Sequence, residues 1–169
     1  MNIVLIGYRG VGKSTIGKQL AGRMGMDFVD TDELIMQRSG KTIREIFEQG
    51  GEPLFRDLES AVIDDLVESD NAVIAAGGGV VLRKANIEKL QANGRIVWLQ
   101  APAQVLWERI SADTATSANR PNLTSAGGLE EILRLLQIRA PLYASAADIA
   151  MDVANMHPDQ IVRYLAEMA

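Results

Sequence analysis

The sequence predicts an α/β fold in which a five-stranded parallel sheet lies between two layers of helices. Three observations predict it. Short apolar runs alternate with longer helical patterns along the chain, the order of parallel strands joined by crossover helices. A glycine-rich turn, GYRGVGKST at residues 7–15, joins the first apolar run to the first helical pattern. The chain has 169 residues, 47% of them hydrophobic, which suits one domain, 1–169, with a sizeable core.

Residues 2–6 read as a buried strand and residues 13–24 as an amphipathic helix. A second strand, 27–30, runs into VDTDEL, and helical patterns follow at 31–39, 43–49 and 52–68. The stretch before the third strand is longer than one crossover needs, so residues 32–60 are expected to form a small substrate-holding insertion. That third strand, 72–75, ends in the glycines Gly77 to Gly79, and a helix follows at 84–92. A fourth strand and helix occupy 96–99 and 103–111, with Trp98 and Trp107 reading as packing residues. Residues 112–128, ADTATSANRPNLTSAGG, are poor in apolar side chains, and a lid is expected over 112–125. A helix at 129–144, a strand at 149–153 and a helix at 158–167 complete the chain, with His157, the only histidine, a surface residue beside Pro158.

The turn at 7–15 spaces Gly7, four residues, Gly12, Lys13 and Ser14, the pattern of a phosphate-binding loop. Glycines let successive N–H groups converge on an anion, and the helix N-terminus behind them adds partial positive charge. Lys13 can reach the outer phosphates, and the Ser14 hydroxyl can bind a magnesium ion. The loop therefore calls for a polyphosphate.

Composition narrows the classes. No cysteine is present, which excludes disulfides, thiolate metal sites and cysteine nucleophiles and suits a reducing cytoplasm. Net charge is −5, with no run of lysine or arginine, which speaks against a nucleic-acid partner. No apolar run is long enough to span a membrane, and with a strand read from residue 2 no signal peptide is expected.

On an extended chain Asp30 and Asp32 would share one side, at the ligand edge of the sheet. Phosphoryl transfer needs positioned magnesium and an acceptor hydroxyl held in line, and such carboxylates serve both needs. Capping of the next helix by Asp30 or Thr31 is the alternative. The third strand carries no acidic residue at its end, where a motor-type ATPase would engage magnesium. Bare backbone at Gly77 to Gly79 offers close approach and N–H groups to a small ligand, or simply a turn.

Taken in order, GYRGVGKST, DTDELI, IFEQGGEPLFRDLE, AAGGGVV, NRPNL and RAPLY resemble the shikimate kinase family over nearly the whole chain. The resemblance implies a P-loop NTPase fold with strand order 2-3-1-4-5, ATP as co-substrate, Mg2+ as cofactor, and ATP-dependent phosphorylation of the 3-hydroxyl of shikimate by a monomer. It implies that Gly10, Val11, Gly12, Lys13, Ser14 and Thr15 bind the triphosphate, that Ser14 binds the metal and that Asp30 reaches it through water. Asp32 matches the family's substrate-binding acid and base, and Arg56 and Arg139 its two arginines on the shikimate carboxylate, where guanidinium forks fit. Gly78 would offer its backbone to the substrate, and Arg120 matches the lid arginine that stabilises charge in transfer. Ile43, Phe47, Phe55 and Pro121 match the pocket wall, with Phe47 and Phe55 also open to a reading as core. Glu59, one turn after Arg56, is placed to hold that arginine. Adenine would lie between the helix of Arg109 and the turn before Pro158, where Met156 stands instead of the basic residue often found there. The lid reads RPNLT rather than the commoner Arg-Pro-Leu-Leu, which keeps Arg120 and Pro121 but alters lid packing.

Two other readings are open. A relative acting on another small hydroxy acid, such as gluconate, would share the paired arginines, though FRDLE, GGG and RAPLY together favour shikimate. A nucleotide-gated binding module would share only the loop, and the chain has no Asn-Lys-x-Asp guanine signature.

Overall fold

Strands β1 (Asn2–Ile6), β2 (Asp27–Asp30), β3 (Ala72–Ala75), β4 (Gly94–Gln100) and β5 (Ile149–Asp152) form one parallel sheet in the order β2-β3-β1-β4-β5. The computed structural model describes residues 1–113, 121–124 and 127–168. The order is the one the family resemblance implies. Register is continuous across the centre, with Val4 opposite both Ile74 and Ile96. Sheets of this kind are covered on both faces, so their strands read as apolar runs.

Alternation along β1 divides the core in two. Ile3 and Leu5 face one layer, where they join buried residues of α1 (Lys13–Met24), α5 (Ala103–Ala112) and α7 (Pro158–Met168). Val4 and Ile6 face the other, with α2 (Thr31–Ser39), α3 (Ile43–Leu66), α4 (Lys84–Ala92) and the C-terminal end of α6 (Gly128–Ala146). Each wholly buried leucine or isoleucine of this kind contributes about 1.5–3 kcal/mol.

The expected elements are all present, with differences at their ends. Strand β4 begins at Gly94, because Gly94 and Arg95 ladder with Asn2 and Ile3 whatever their side chains. Helix α3 opens on a capping box between Thr42 and Glu45 and then breaks at Gly51, whose φ of 69° and ψ of −169° are not helical. Gly51 thereby separates the two helical patterns expected at 43–49 and 52–68, and Pro53 sits near the start of the second, where its missing N–H does no harm. A 3-10 turn at Val80–Leu82, which periodicity does not signal, leads from the glycines into α4. Among the described residues no helix is long and apolar enough to cross a membrane.

The carboxyl ends of β1, β2 and β3 lead into the loop at 7–12, Asp30 and Gly77 to Gly79 respectively. One edge of the sheet thus gathers three of the segments that the sequence marks for chemistry.

Candidate active site

Backbone geometry makes the loop an anion cradle. Gly7, Gly10 and Gly12 adopt φ of 141°, 84° and 106°, a region that disfavours side chains. A Cβ at Gly7 would also lie 2.4 Å from the Leu99 carbonyl oxygen. Gly12 precedes α1 with no side-chain cap, and the first turn carries no acid. The helix therefore presents its opening amides and positive dipole end to the loop. Lys13 is buried, and its Nζ donates to the Gly7 and Tyr8 carbonyls at 2.6 and 3.0 Å.

A cavity of about 780 Å³ opens above this loop. Gly10, Val11, Gly12, Lys13, Ser14 and Thr15 line one part of it, and Arg109, Val153, Met156 and Pro158 another. Arg109 Nη1 donates to the Val11 carbonyl at 3.1 Å, fixing that helix to the loop. The two walls expected around adenine are thus brought together. Arg120 and most of the expected lid lie outside the described residues.

Asp30 divides its two carboxylate oxygens between two partners. Its Oδ1 caps α2 by accepting from the Asp32 and Glu33 amides at 3.0 and 3.2 Å, while its Oδ2 accepts from the Ser14 hydroxyl. Asp32, however, does not share an extended segment with it. Because the cap starts the helix at Thr31, Asp32 is in the first turn of α2, and the helical path rather than strand alternation brings both acids to the cavity. The oxygens of Ser14 and Asp30 form a hard donor set suited to Mg2+. Among the described residues no group of three His, Cys, Asp or Glu could hold a metal.

A smaller cavity of about 60 Å³ adjoins the first, both touching Asp32, Ile43, Gly77 and Gly78. Arg56, Arg139, Phe47, Phe55 and Pro121 complete much of its wall. Phe47 and Phe55 stack with centroids 5.3 Å apart and also belong to the core, so they serve as wall and packing together.

Part of the backbone in the glycine run is already engaged within the fold. The Gly77 amide is taken by Thr31 Oγ1 at 2.9 Å, and the Gly78 carbonyl accepts from the Tyr143 hydroxyl. Absent side chains are what the site uses. A Cβ at Gly77 would lie 2.8 Å from both Asp32 Oδ1 and Glu59 Oε2, and one at Gly79 would lie 2.3 Å from Arg56 Nη2. Charged groups therefore pack directly on this backbone.

The two buried arginines are held unequally. Arg56 Nη1 donates to Glu59 Oε1 at 2.9 Å, as the one-turn spacing predicts, and its Nε and Nη2 reach Glu52 at 3.2 and 3.1 Å. Arg139 forms no salt bridge among the described residues, and its Nε is buried without a hydrogen-bond partner there. Its guanidinium lies 5.9 Å from the Tyr8 ring centroid, a cation–π contact. Burial raises the carboxyl pKa of Glu59, with Arg56 opposing. Burial likewise lifts the Tyr143 hydroxyl to about 12, and it raises Tyr8, helped by Glu131.

Sequence reasoning misses Tyr8, Glu131 and Tyr143. Tyr8 lies inside the loop motif at a variable position, and Tyr143 follows Arg139 by four residues on the same helix face.

Known proteins resemble this chain over nearly its whole length. The model of a family described as shikimate kinase matches residues 9–169. A shikimate kinase of Thermodesulfovibrio yellowstonii is 43% identical over 160 residues, spanning 95% of this chain and 90% of that protein. Another, of Pseudomonas syringae pv. tomato, is 41% identical over 169 residues, spanning 99% and 96%. The solved shikimate kinase of Acinetobacter baumannii, in complex with shikimate, superposes with a TM-score of 0.91 at 33% identity, covering 99% of this chain and 91% of that one.

Proposed function

The chain belongs to the shikimate kinase family, and from that premise we propose that it transfers the terminal phosphoryl group of ATP to the 3-hydroxyl of shikimate, giving shikimate 3-phosphate and ADP in aromatic amino-acid biosynthesis. The observation that carries the acceptor is Arg139, a buried cation with no carboxylate partner among the described residues, lining one cavity with Arg56 and the glycine run and adjoining the phosphate loop. A buried charge is costly until it is paired, and the carboxylate of an incoming acid would supply the pair.

In this reading the amides of residues 10–15 and Lys13 hold the triphosphate, with Arg109 and Met156 flanking adenine. Arg56 and Arg139 grip the acceptor carboxylate, Gly78 meets the acceptor with its backbone, and Asp32 orients the hydroxyl and takes its proton. The hydroxyl oxygen forms a bond to the terminal phosphorus as the bridging P–O bond breaks, and ADP leaves with that electron pair. Arg120 is assigned to the charge that develops there. Ser14 would hold Mg2+ directly and Asp30 through water; bound there, the ion would neutralise phosphate charge. The enzyme acts as a monomer in the cytoplasm, on two small molecules, without nucleic acid or membrane.

Titrating shikimate with ATP and Mg2+ present and following shikimate 3-phosphate by mass spectrometry tests the reaction. Turnover of gluconate without shikimate would overturn it. Asp32→Ala should lower kcat by about 100-fold or more while ATP affinity stays within about twofold. Undiminished transfer in that variant would remove Asp32 from its role.

A further inference from the structure

Glu131 is a buried acid that the proposed chemistry does not use. It lies in the first turn of α6, where the helix dipole favours a negative group, and it lines the smaller cavity with Arg139 and Tyr8. It forms no ion pair among the described residues. What it does hold is main chain: its Oε1 accepts the Thr124 amide at 2.5 Å.

That bond reaches the acceptor wall. Pro121 and Leu123, immediately before Thr124, line the same cavity opposite α3. Their segment is seated at a second point as well, where the Asn122 amide lies against Gly127; a Cβ there would sit 2.9 Å from Asn122 Nδ2. Gly127 and Gly128, with φ of 60° and 59°, turn the chain into α6 directly below. Residues 121–124 thus have little internal structure of their own, and Glu131 ties their backbone to the helix that carries Arg139.

We propose that Glu131 is a positioning residue of the acceptor site: through the Thr124 amide it sets Pro121 and Leu123 as the wall that closes on the acceptor bound by Arg139. The proposal rests on the acceptor reading above. It requires a hydrogen-bond acceptor of the right reach at position 131, and negative charge is secondary.

The experiment compares steady-state kinetics of the full chain with Glu131→Gln, Glu131→Asp and Glu131→Ala. Glutamine keeps an acceptor oxygen at the same reach and should stay near wild type. Alanine removes it and aspartate shortens it by one methylene, so both should raise the KM for shikimate about tenfold, the order expected for one hydrogen bond, while the KM for ATP stays within about twofold. Unchanged KM in Glu131→Ala would overturn the proposal. So would the reverse grouping, with aspartate near wild type and glutamine impaired, because charge would then be the requirement. Should the alanine variant fold poorly, the glutamine and aspartate pair carries the same decision. Failure of the wild type to phosphorylate shikimate would instead overturn the acceptor reading itself.

Discussion

The phosphate loop and the acceptor pocket share a boundary but are made of different material. The loop is a single run of residues whose work is done by main-chain amides, glycine dihedrals and one helix end. The pocket is assembled from the loop, α2, α3, the glycine run, residues 121–123 and α6, and its work is done by buried charged side chains. Amides oriented by a helix carry no net charge to desolvate, so a loop of this kind is built before its ligand arrives. Ionisable groups inside a pocket are instead penalised by burial, which is why Glu59, Tyr8 and Tyr143, all bracing it, have raised pKa values.

Glycine substitutions separate the two regions. Gly7→Ala should have the largest effect. Its φ of 141° and the Leu99 carbonyl 2.4 Å from the new Cβ leave only backbone to move. A loss of about 3 kcal/mol, or about 10 °C in Tm, is expected with loss of ATP binding, measured by thermal unfolding and nucleotide titration. Gly79→Ala should act more narrowly. Gly79 has an ordinary φ of −98°, and the atoms nearest its new Cβ belong to the Arg56 guanidinium, a side-chain end rather than backbone. Tm should therefore stay within about 2 °C and ATP affinity should hold, while the KM for shikimate rises about tenfold or more. Equal damage by the two variants would erase the distinction between a loop set by backbone and a pocket set by side chains.

A pH series gives the smallest effect. Burial raises Glu59 above its ordinary 4.5, so the folded protein holds that proton more tightly than the unfolded chain. The associated stability is present below pH 4.5 and fades as pH rises through the raised value. Glu59→Gln does not titrate, so its Tm should gain on wild type as pH rises from 4.5 through the raised value. A constant difference across that range would show that Glu59 carries the same proton in both states.

Legibility follows the same division. The loop, the alternation of strands and helices, and the one-turn spacing of Arg56 and Glu59 could all be read because their partners are near in the chain. Asp30 shows where such reading stops: its position fits both a cap and a metal shell, and the fold uses one carboxylate oxygen for the cap and turns the other to Ser14. The three glycines were legible as a place of close approach. Which atoms approach was not, since Asp32, Glu59 and Arg56 come from helices far along the chain.

By itself the sequence determined the order of elements, the phosphate cradle and, through an ordered set of motifs, the family. These rest on periodicity and short spacing, which a linear chain states directly. Only the tertiary structure decided that Tyr8 lies beneath Arg139, that Tyr143 fixes the Gly78 carbonyl and that Glu131 holds Thr124. Those contacts depend on how helices are set against the sheet and on which side chains find room, and packing decides both once the chain has closed on itself.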